Sequence, residues 1–383
     1  MKRIVGAGNF TFNEICVHLA VDHGFKQGMK GRAVQLDGMR AIAMMAICWD
    51  HWCPPSWPRV FPFEVFLFLF LVLTGYLITG SLLRERERRQ ETGGPWRMEA
   101  LKTYQIRRGL RILAPYYFAL VVAVIVSPRD FGPVIGWYFF HVSNIHMAML
   151  GYWPAGTSHF WSLATQQQFY LIWPFVIWFL PRRLLVPVLL VFTAMAPASR
   201  MLHDYFGTWI AWPQLLTWSF FDYFGIGALF ALAVHRGMAL DSPALRWLAG
   251  LALAGYIMIF GAHAMEWRTF GFRPFQQTLL SIGLCGIIAG GLVGFRGIGK
   301  VVLEHPALQR IGQLSYGIYL FHNLAPMVTG KIMPFLWIPP HDTGVWVFSK
   351  IVAYALVTWG LTLVSWRWVE QPLQGVRARF ATR

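Results

Sequence analysis

Eleven apolar runs of 16 to 24 residues follow one another along this chain and restrict what it can fold into. Hydrophobic residues make up 56% of the 383 residues, whereas Asp, Glu, Lys and Arg together make up only 13%. Soluble proteins carry roughly 25% charged residues, which they need to cover their surface. Disordered chains are poor in aromatic residues, and here these account for 16%. An integral membrane protein is therefore the class that remains. The runs are 36–53, 62–83, 112–127, 132–150, 160–180, 184–201, 214–235, 244–263, 276–295, 311–330 and 345–368.

The distribution of Lys and Arg predicts which runs cross the membrane, because basic residues collect on the cytoplasmic side. Connection 84–111 holds nine of them, whereas the connections around 128–132 and 151–159 hold almost none. Run 132–150 therefore begins and ends on the outer side, and its His141, Asn144 and His146 suit a re-entrant or interfacial segment. We predict an all-α integral membrane bundle of about ten transmembrane helices plus this segment, with both termini cytoplasmic.

Three regions are expected along the chain. Residues 1–35 lack the uninterrupted apolar stretch of a signal peptide and are interpreted as a cytoplasmic leader. Residues 36–373 form the membrane domain, and 374–383 form a short basic cytoplasmic tail. The net charge of +16 is explained by basic loops, so we expect membrane lipids and no nucleic acid as partners. The four cysteines lack metal-binding spacing, and no metal is expected.

Charged residues inside an apolar run cost about 2.5–3.5 kcal/mol each on insertion scales and are candidates for function. Arg40 and His51 lie in the first run, eleven residues apart. Eleven residues are close to three helical turns, so both side chains share one helix face at a separation of about 16 Å. Arg40 either anchors the helix at the cytoplasmic surface or holds a phosphate or carbonyl. His51 either bonds a neighbouring helix or accepts a proton from a hydroxyl.

Two further groups of polar residues lie within predicted spans. Trp161, Ser162 and Gln166 occur at the start of run 160–180, and Tyr316 and His322 occur in run 311–330. Each group either makes hydrogen bonds between helices or lines a cavity. His322 falls near the middle of its run, where it could form a second wall of the cavity that His51 faces.

A cluster of arginines precedes the third run. Arg107 and Arg111 are one helical turn apart and share a face, and Arg108 lies beside them. The charge of this cluster is typical of a cytoplasmic loop. Basic loops also bind anionic ligands such as phosphates, so both interpretations stay open.

Taken in order, these phrases resemble acyltransferase family 3, a family of membrane-bound acyltransferases. Leu36-Asp37-Gly38-Met39-Arg40, with His51 eleven residues after Arg40, is similar to the family's first helix. Phrases similar to those of the later helices are Leu73-Thr74-Gly75-Tyr76, Arg107 to Pro115, Phe160-Trp161-Ser162-Leu163 with Gln168-Phe169-Tyr170, Ile311-Gly312 to His322, and Val369-Glu370-Gln371-Pro372. The resemblance runs from about 36 to 373. Gln166 and Gln167 stand where the family usually has acidic residues, and Phe68 stands at a place that is often Asp.

The resemblance implies transfer of an acyl group from cytoplasmic acyl-CoA, with acetyl-CoA or succinyl-CoA as the donor. The acceptor would be a hydroxyl of a cell-surface, periplasmic or lipid-linked glycan, at a bacterial inner membrane. His51 would be the general base, and Arg40 would be the second catalytic residue. Arg40, Arg107, Arg108 and Arg111 would hold phosphates of coenzyme A or orient the thioester. Trp161, Ser162, Gln166, Tyr316 and His322 would line the substrate cavity. No fused esterase-like domain is expected, because the chain ends shortly after the last run. The sequence does not specify an oligomeric state.

A different class of function remains open on the residues alone. In a multi-span transporter or flippase-like channel, a buried Arg40 and His51 would form a substrate pathway or a proton relay. Release of coenzyme A that depends on His51 would distinguish the enzyme from the transporter. A membrane scaffold without a cavity would have little use for charged residues in its spans.

Overall fold

The computed structural model describes residues 32–54, 57, 62–265, 271–336 and 344–379, and these contain helices and turns but no strand. The predicted leader lies outside the described residues, apart from the start of the first helix at Arg32. The described part of the tail belongs to the last helix. The longer helices are α1 (Arg32–Trp52), α2 (Glu64–Thr92), α3 (Arg97–Val126), α7 (Phe160–Phe179), α8 (Arg182–Phe206), α9 (Phe221–His235), α10 (Pro243–Ala264), α11 (Gln276–Val293) and α16 (Gly344–Ser365).

Shorter helices fill the connections between these elements. Those of the first half are α4 (Pro128–Phe131), α5 (Ile135–Phe139) and α6 (Ser143–Leu150). Those of the second half are α12 (Ile298–Leu303), α13 (Pro306–Gln313), α14 (Ser315–Phe321), α15 (Ala325–Leu336) and α17 (Gln371–Arg379). A π-helical turn, Trp366–Glu370, joins α16 to α17.

Seven helical segments of the described chain are long and apolar enough to cross a membrane. This finding supports a helical membrane protein, whereas the predicted count of about ten spans is not confirmed. The segments are Glu64–Thr92, Arg97–Val126, Arg182–Phe206, Thr217–His235, Pro243–Ala264, Arg273–Val293 and Gly344–Val376.

Three of the ten predicted spans, runs 36–53, 160–180 and 311–330, are not among these seven segments, and each has a physical reason. Helix α1 is 21 residues long but contains Asp37, Arg40 and Asp50, so its charge is high for a span. Helix α7 is 20 residues long, and three consecutive glutamines, 166–168, lower its mean hydropathy. Run 311–330 is broken into pieces of α13, α14 and α15, the longest of which has 12 residues.

Segment 132–150 consists of a 3₁₀ turn and two short helices, each much shorter than the roughly 20 residues that a transmembrane helix needs. His141 lies at the break between α5 and α6, with a positive φ of 56°. Gln168 of α7 donates hydrogen bonds to the carbonyl oxygen of His141 (2.8 Å) and to Oδ1 of Asn144 (3.0 Å). These contacts tie the segment to α7 inside the protein, where non-helical backbone is tolerated at membrane depth.

Glycines bring the helices that carry the candidate site into backbone contact. A Cβ at Gly312 of α13 would overlap the backbone of Asp37, and a Cβ at Gly38 of α1 would overlap the backbone of Leu303. Membrane helices use such small residues to approach closely. The glycine in the Ile311-Gly312 phrase thus fixes α1 against the segment that leads into α14.

Candidate active site

His51 lies at the end of α1, and its side chain is exposed. Its Nδ1 is 3.0 Å from the carbonyl oxygen of Ile47, one turn earlier in the same helix. A neutral imidazole makes this contact by donating the proton on Nδ1, which leaves the lone pair on Nε2. The accessible ring therefore has a nitrogen that can accept a proton from a hydroxyl.

Two buried histidines lie behind His51. The ring centroids of His51 and His322 are 4.9 Å apart, and those of His322 and His159 are 4.8 Å apart. Nδ1 of His322 is 2.7 Å from the carbonyl oxygen of Tyr319, and Nε2 of His159 is 3.1 Å from that of Leu320. We call His51, His159 and His322 the histidine cluster. The other ring nitrogens of His159 and His322 have no hydrogen-bond partner among the described residues.

A short chain of hydroxyl groups borders the histidine cluster. Ser162 donates to the carbonyl oxygen of His159 at 2.9 Å, and its Oγ is 2.6 Å from the hydroxyl of Tyr319. The Tyr319 ring in turn lies 5.2 Å from the His322 ring. The indole of Trp52 donates to the carbonyl oxygen of His322 at 2.9 Å and so joins α1 to the end of α14. Ser162, which the sequence placed at a substrate site, is buried at the edge of the cluster.

A polar cleft lies at the other end of the interface between α1 and α14. Arg40 contributes to it, with Nη1 3.3 Å from Oδ1 of Asp37, and Arg111 and Tyr316 line it as well. The hydroxyl of Tyr316 donates to the carbonyl oxygen of Ile112 at 2.9 Å and so connects α14 to α3. We call this the arginine cleft. Its lining residues are Arg40, Leu110, Arg111, Gln313, Leu314, Tyr316, Gly317, Trp366, Glu370 and Gln374.

Helix α14 connects the two parts of the site. Tyr316, near its beginning, lines the arginine cleft, and His322, directly after its last residue, contacts His51. Arg40 and His51 thus both face this segment, which is the arrangement that their spacing on α1 predicts. A rise of 1.5 Å per residue separates them by about 16 Å along the helix.

The three arginines of α3 occupy different surroundings. Arg111 lines the arginine cleft, whereas the guanidinium of Arg108 lies 4.1 Å from the ring centroid of Tyr170. Nε of Arg108 is buried and has no hydrogen-bond partner among the described residues. Arg107 interacts electrostatically with Glu85 and Arg88 near the end of α2. The structure therefore brings Arg111 to Arg40 but does not gather all three arginines in one place.

The side chain of Gln166 contacts α2, and that of Trp161 contacts Phe220, the residue that precedes α9. Nε2 of Gln166 donates to Oγ1 of Thr74 at 2.7 Å, and the Trp161 ring stacks on Phe220 at 4.8 Å. Phe68 stacks on Tyr223 at 4.4 Å. These contacts are with other helices, away from the rings of the histidine cluster.

The sequence prediction did not include His159 or Tyr319. His159 directly precedes the Phe160-Trp161-Ser162-Leu163 phrase, and Tyr319 lies between Tyr316 and His322. Both are therefore close in sequence to residues that were predicted to line the substrate site. Their contacts join α7 to α14, and nothing in the local sequence reports such pairing. Within the described ranges, no group of three His, Cys, Asp or Glu residues could hold a metal ion.

Comparison with known proteins gives consistent matches along most of the chain. The sequence model of the family described as acyltransferase domain (Acyl_transf_3) matches residues 34–367. The chain is 26% identical over 373 residues to the peptidoglycan O-acetyltransferase OatA of Listeria monocytogenes, which covers 88% of this chain and 55% of that protein. It is 26% identical over 387 residues to the putative peptidoglycan O-acetyltransferase YrhL of Bacillus subtilis, with coverage of 90% and 55%.

A shorter match reaches a third relative. Over 168 residues the chain is 29% identical to the O-acetyltransferase OatA of Staphylococcus aureus, covering 39% of this chain and 25% of that protein. The chain thus spans about half the length of the two relatives that it matches along most of its own length. No solved structure matches it.

Proposed function

This chain belongs to the acyltransferase domain family, and on that premise we propose that it transfers an acyl group from cytoplasmic acyl-CoA to a hydroxyl of a glycan on the outer side of a bacterial inner membrane. Acetyl is the first choice for the acyl group, because the relatives are named O-acetyltransferases, and succinyl is the second. Peptidoglycan is the first choice of acceptor for the same reason.

One observation carries the proposal. The exposed side chain of His51 and the arginine cleft lie at opposite ends of the same α1–α14 interface. Phosphates of coenzyme A would bind at the cationic end, where Arg40 and Arg111 meet, because guanidinium groups bind phosphate oxygens in a bidentate manner. The pantetheine arm of coenzyme A is a long linear chain, and it would carry the thioester along α14 towards His51.

The chemistry then follows from the positions of these groups. The acceptor hydroxyl gives its proton to Nε2 of His51, and the oxygen attacks the thioester carbonyl. A carbon–oxygen bond forms, the carbon–sulfur bond breaks, and the thiolate of coenzyme A takes up the proton. The hydrogen bond from Nδ1 of His51 to Ile47 keeps the ring in the tautomer that this step needs.

The transporter alternative is not favoured by these findings. The family match covers residues 34–367, which include both Arg40 and His51 and both ends of the site. The protonatable group at His51 and the arginines at the other end have complementary roles in acyl transfer, which accounts for both without a continuous substrate pathway.

The direct test uses the purified full chain in a membrane mimic with acetyl-CoA labelled in the acetyl group and a soluble peptidoglycan fragment. We expect labelled acetyl ester on the fragment and release of free coenzyme A in equal amounts, both abolished in His51→Ala. The same assay is repeated with labelled succinyl-CoA, and ester formed only from succinyl-CoA would identify that compound as the donor. Transport of label without ester formation would overturn the proposal.

A further inference from the structure

Arg108 of α3 is held by an aromatic ring and not by a carboxylate. Its guanidinium lies over the ring of Tyr170 of α7, 4.1 Å from the ring centroid, which is the shortest of three such contacts among the described residues. Its Nε is buried without a hydrogen-bond partner in that part of the chain. Half-buried arginines usually bond oxygen atoms, as Arg200 does in this protein. The π face of Tyr170 therefore takes the place of such partners.

Two further tyrosines lie close to this contact. Tyr104, one helical turn before Arg108, is within electrostatic range of Arg108 and Tyr170, and its buried hydroxyl has no hydrogen-bond partner among the described residues. Tyr316 of α14 is within range of the same pair, and it lines the arginine cleft. Arg111, three residues after Arg108 and on the same side of α3, lines the cleft as well. Arg108 therefore stands next to the wall of the cleft, although it is not part of the lining.

The contact with a ring leaves the hydrogen-bond donors of the guanidinium available. A cation–π contact uses the face of the guanidinium, whereas its N–H groups lie in its plane and form a fork that fits two phosphate oxygens. A carboxylate partner would occupy those N–H groups and compete with a phosphate. A tyrosine ring fixes the side chain without occupying any of them. An arginine held in this way is ready to bind an anionic ligand.

We propose that Tyr170 is a positioning residue that holds the guanidinium of Arg108 by its face and so directs its N–H edge to a phosphate group of the acyl donor, next to Arg111. The inference rests on the proposed function and deepens it. Coenzyme A carries a diphosphate and a 3′-phosphate, so it offers phosphates to guanidinium groups on adjacent helical turns. Tyr170 does not touch the reacting atoms, so we expect its effect on donor affinity and not on the chemical step.

The sharpest test changes the electrons of the ring and keeps its shape. Phe and its mono-, di- and trifluorinated forms are incorporated at position 170 of the full chain, and binding of coenzyme A is measured by calorimetry in a membrane mimic. Fluorine withdraws electron density from the ring face, so a cation–π contact weakens with each fluorine added. We expect Tyr170→Phe to bind coenzyme A like the wild type. Affinity should then fall stepwise, to about 3–30-fold weaker in the trifluorinated form, while kcat at saturating acetyl-CoA stays constant.

The same series at Tyr256 is the matched control. Tyr256 is a buried tyrosine of α10 whose ring stacks on Phe260 at 6.0 Å, and no arginine of the described residues lies over it. Affinity for coenzyme A should not change along this series. Constant affinity along the series at Tyr170 would overturn the proposal. An equal decline at both positions would also overturn it, because that outcome would report a general effect of fluorine on packing.

Combination with Arg108→Gln shows whether the ring acts through the arginine. Arg108→Gln alone should weaken binding of coenzyme A by about 10–100-fold, since it removes charge-assisted bonds to phosphate. In this background the fluorinated series at Tyr170 should have no further effect, because residues that act through one contact are not additive. A stepwise decline that persists in Arg108→Gln would overturn the proposal.

These measurements separate this inference from the proposed function. A wild-type chain that binds no coenzyme A would overturn both together. Binding that is constant along the fluorinated series at Tyr170 would overturn this inference alone and leave the proposed acyl transfer standing. The expected decline of affinity, in a preparation that forms no ester, would support the contact between Tyr170 and Arg108 and contradict the proposed acyl transfer.

Discussion

The ring of His51 contacts the ring of His322 edge to face, with the centroids 4.9 Å apart, and this contact joins the end of α1 to the end of α14. One ring is exposed and the other is completely buried. The exposed ring of His51, which can accept a proton, therefore lies directly against the buried rings of His322 and His159. Because the arginine cleft lies at the other end of the same two helices, displacement of α1 against α14 would disturb both parts of the site together.

Replacement of His51 tests the general base. In His51→Gln the amide can keep the hydrogen bond to Ile47 but cannot accept a proton at neutral pH, so we expect kcat to fall by ~10²–10⁴-fold. Binding of acetyl-CoA should be unaffected, as measured by calorimetry on the purified chain. His263→Gln, at an exposed position at the end of α10, is the control. Near-normal turnover in His51→Gln would exclude His51 as the base.

Replacement of Arg111 tests the donor site. Charge-assisted bonds to phosphate contribute about 1.5–3 kcal/mol each, so Arg111→Gln should weaken binding of coenzyme A by about 10–100-fold. Lys102→Gln removes a positive charge from an exposed position of the same helix and should have little effect. Equal losses in the two variants would mean that general positive charge, and not the arginine cleft, holds the donor.

The predicted topology places both ends of segment 128–152 on the outer side. Arg129→Cys and Tyr152→Cys, at exposed positions, should both react with an impermeant thiol reagent added to intact cells, in a background without Cys16, Cys48, Cys53 and Cys285. Lys102→Cys should react only after the cells are opened. Labelling of Arg129→Cys and Tyr152→Cys from opposite sides would mean that the short helices α5 and α6 cross the membrane.

A buried ion pair should contribute strongly to stability. Arg200 of α8 donates to Oδ2 of Asp222 of α9 at 2.7 Å, and Thr278 of α11 donates to the same oxygen at 2.8 Å. Asp222→Ala leaves the largely buried guanidinium with the carbonyl oxygens of Pro274 and Ser219 but without a carboxylate, and we expect it to cost about 3–5 kcal/mol of unfolding free energy. Thr278→Val removes one neutral donor and should cost about 1 kcal/mol. Denaturant unfolding in detergent measures both, and equal effects would contradict this account.

His141 gives a prediction about pH. Burial lowers the pKa of His141 to about 4, from an ordinary value of 6.5. The unfolded chain therefore binds a proton at this residue at a higher pH than the folded protein, so the contribution of His141 to stability is lost as the pH falls from about 6.5 towards 4. His141→Asn, which tolerates the positive φ, should lower the slope of melting temperature against pH in this range. An unchanged slope in His141→Asn would contradict a contribution of His141 to the pH dependence of stability.

The local sequence predicted those features of the site that depend on one helix. The eleven-residue spacing of Arg40 and His51 placed both on one face of α1, and the structure has both directed at α14. The pattern could not report that Gln166 bonds Thr74 or that Trp161 stacks on Phe220, because those contacts depend on how α7 is rotated against its neighbours. The prediction of ten spans counted runs of apolar residues, and run 311–330 is divided by breaks that hydropathy does not detect.

The sequence by itself determined the membrane class, because so many apolar side chains with so few charges have no other stable environment. It also determined the register of Arg40 and His51, since helical periodicity is a local property. Only the tertiary structure decided that His159 stands behind His322, and that Arg111 rather than Arg107 meets Arg40. These pairings join residues far apart in the chain, and they follow from close helix packing at glycines such as Gly38 and Gly312, which brings one backbone against another.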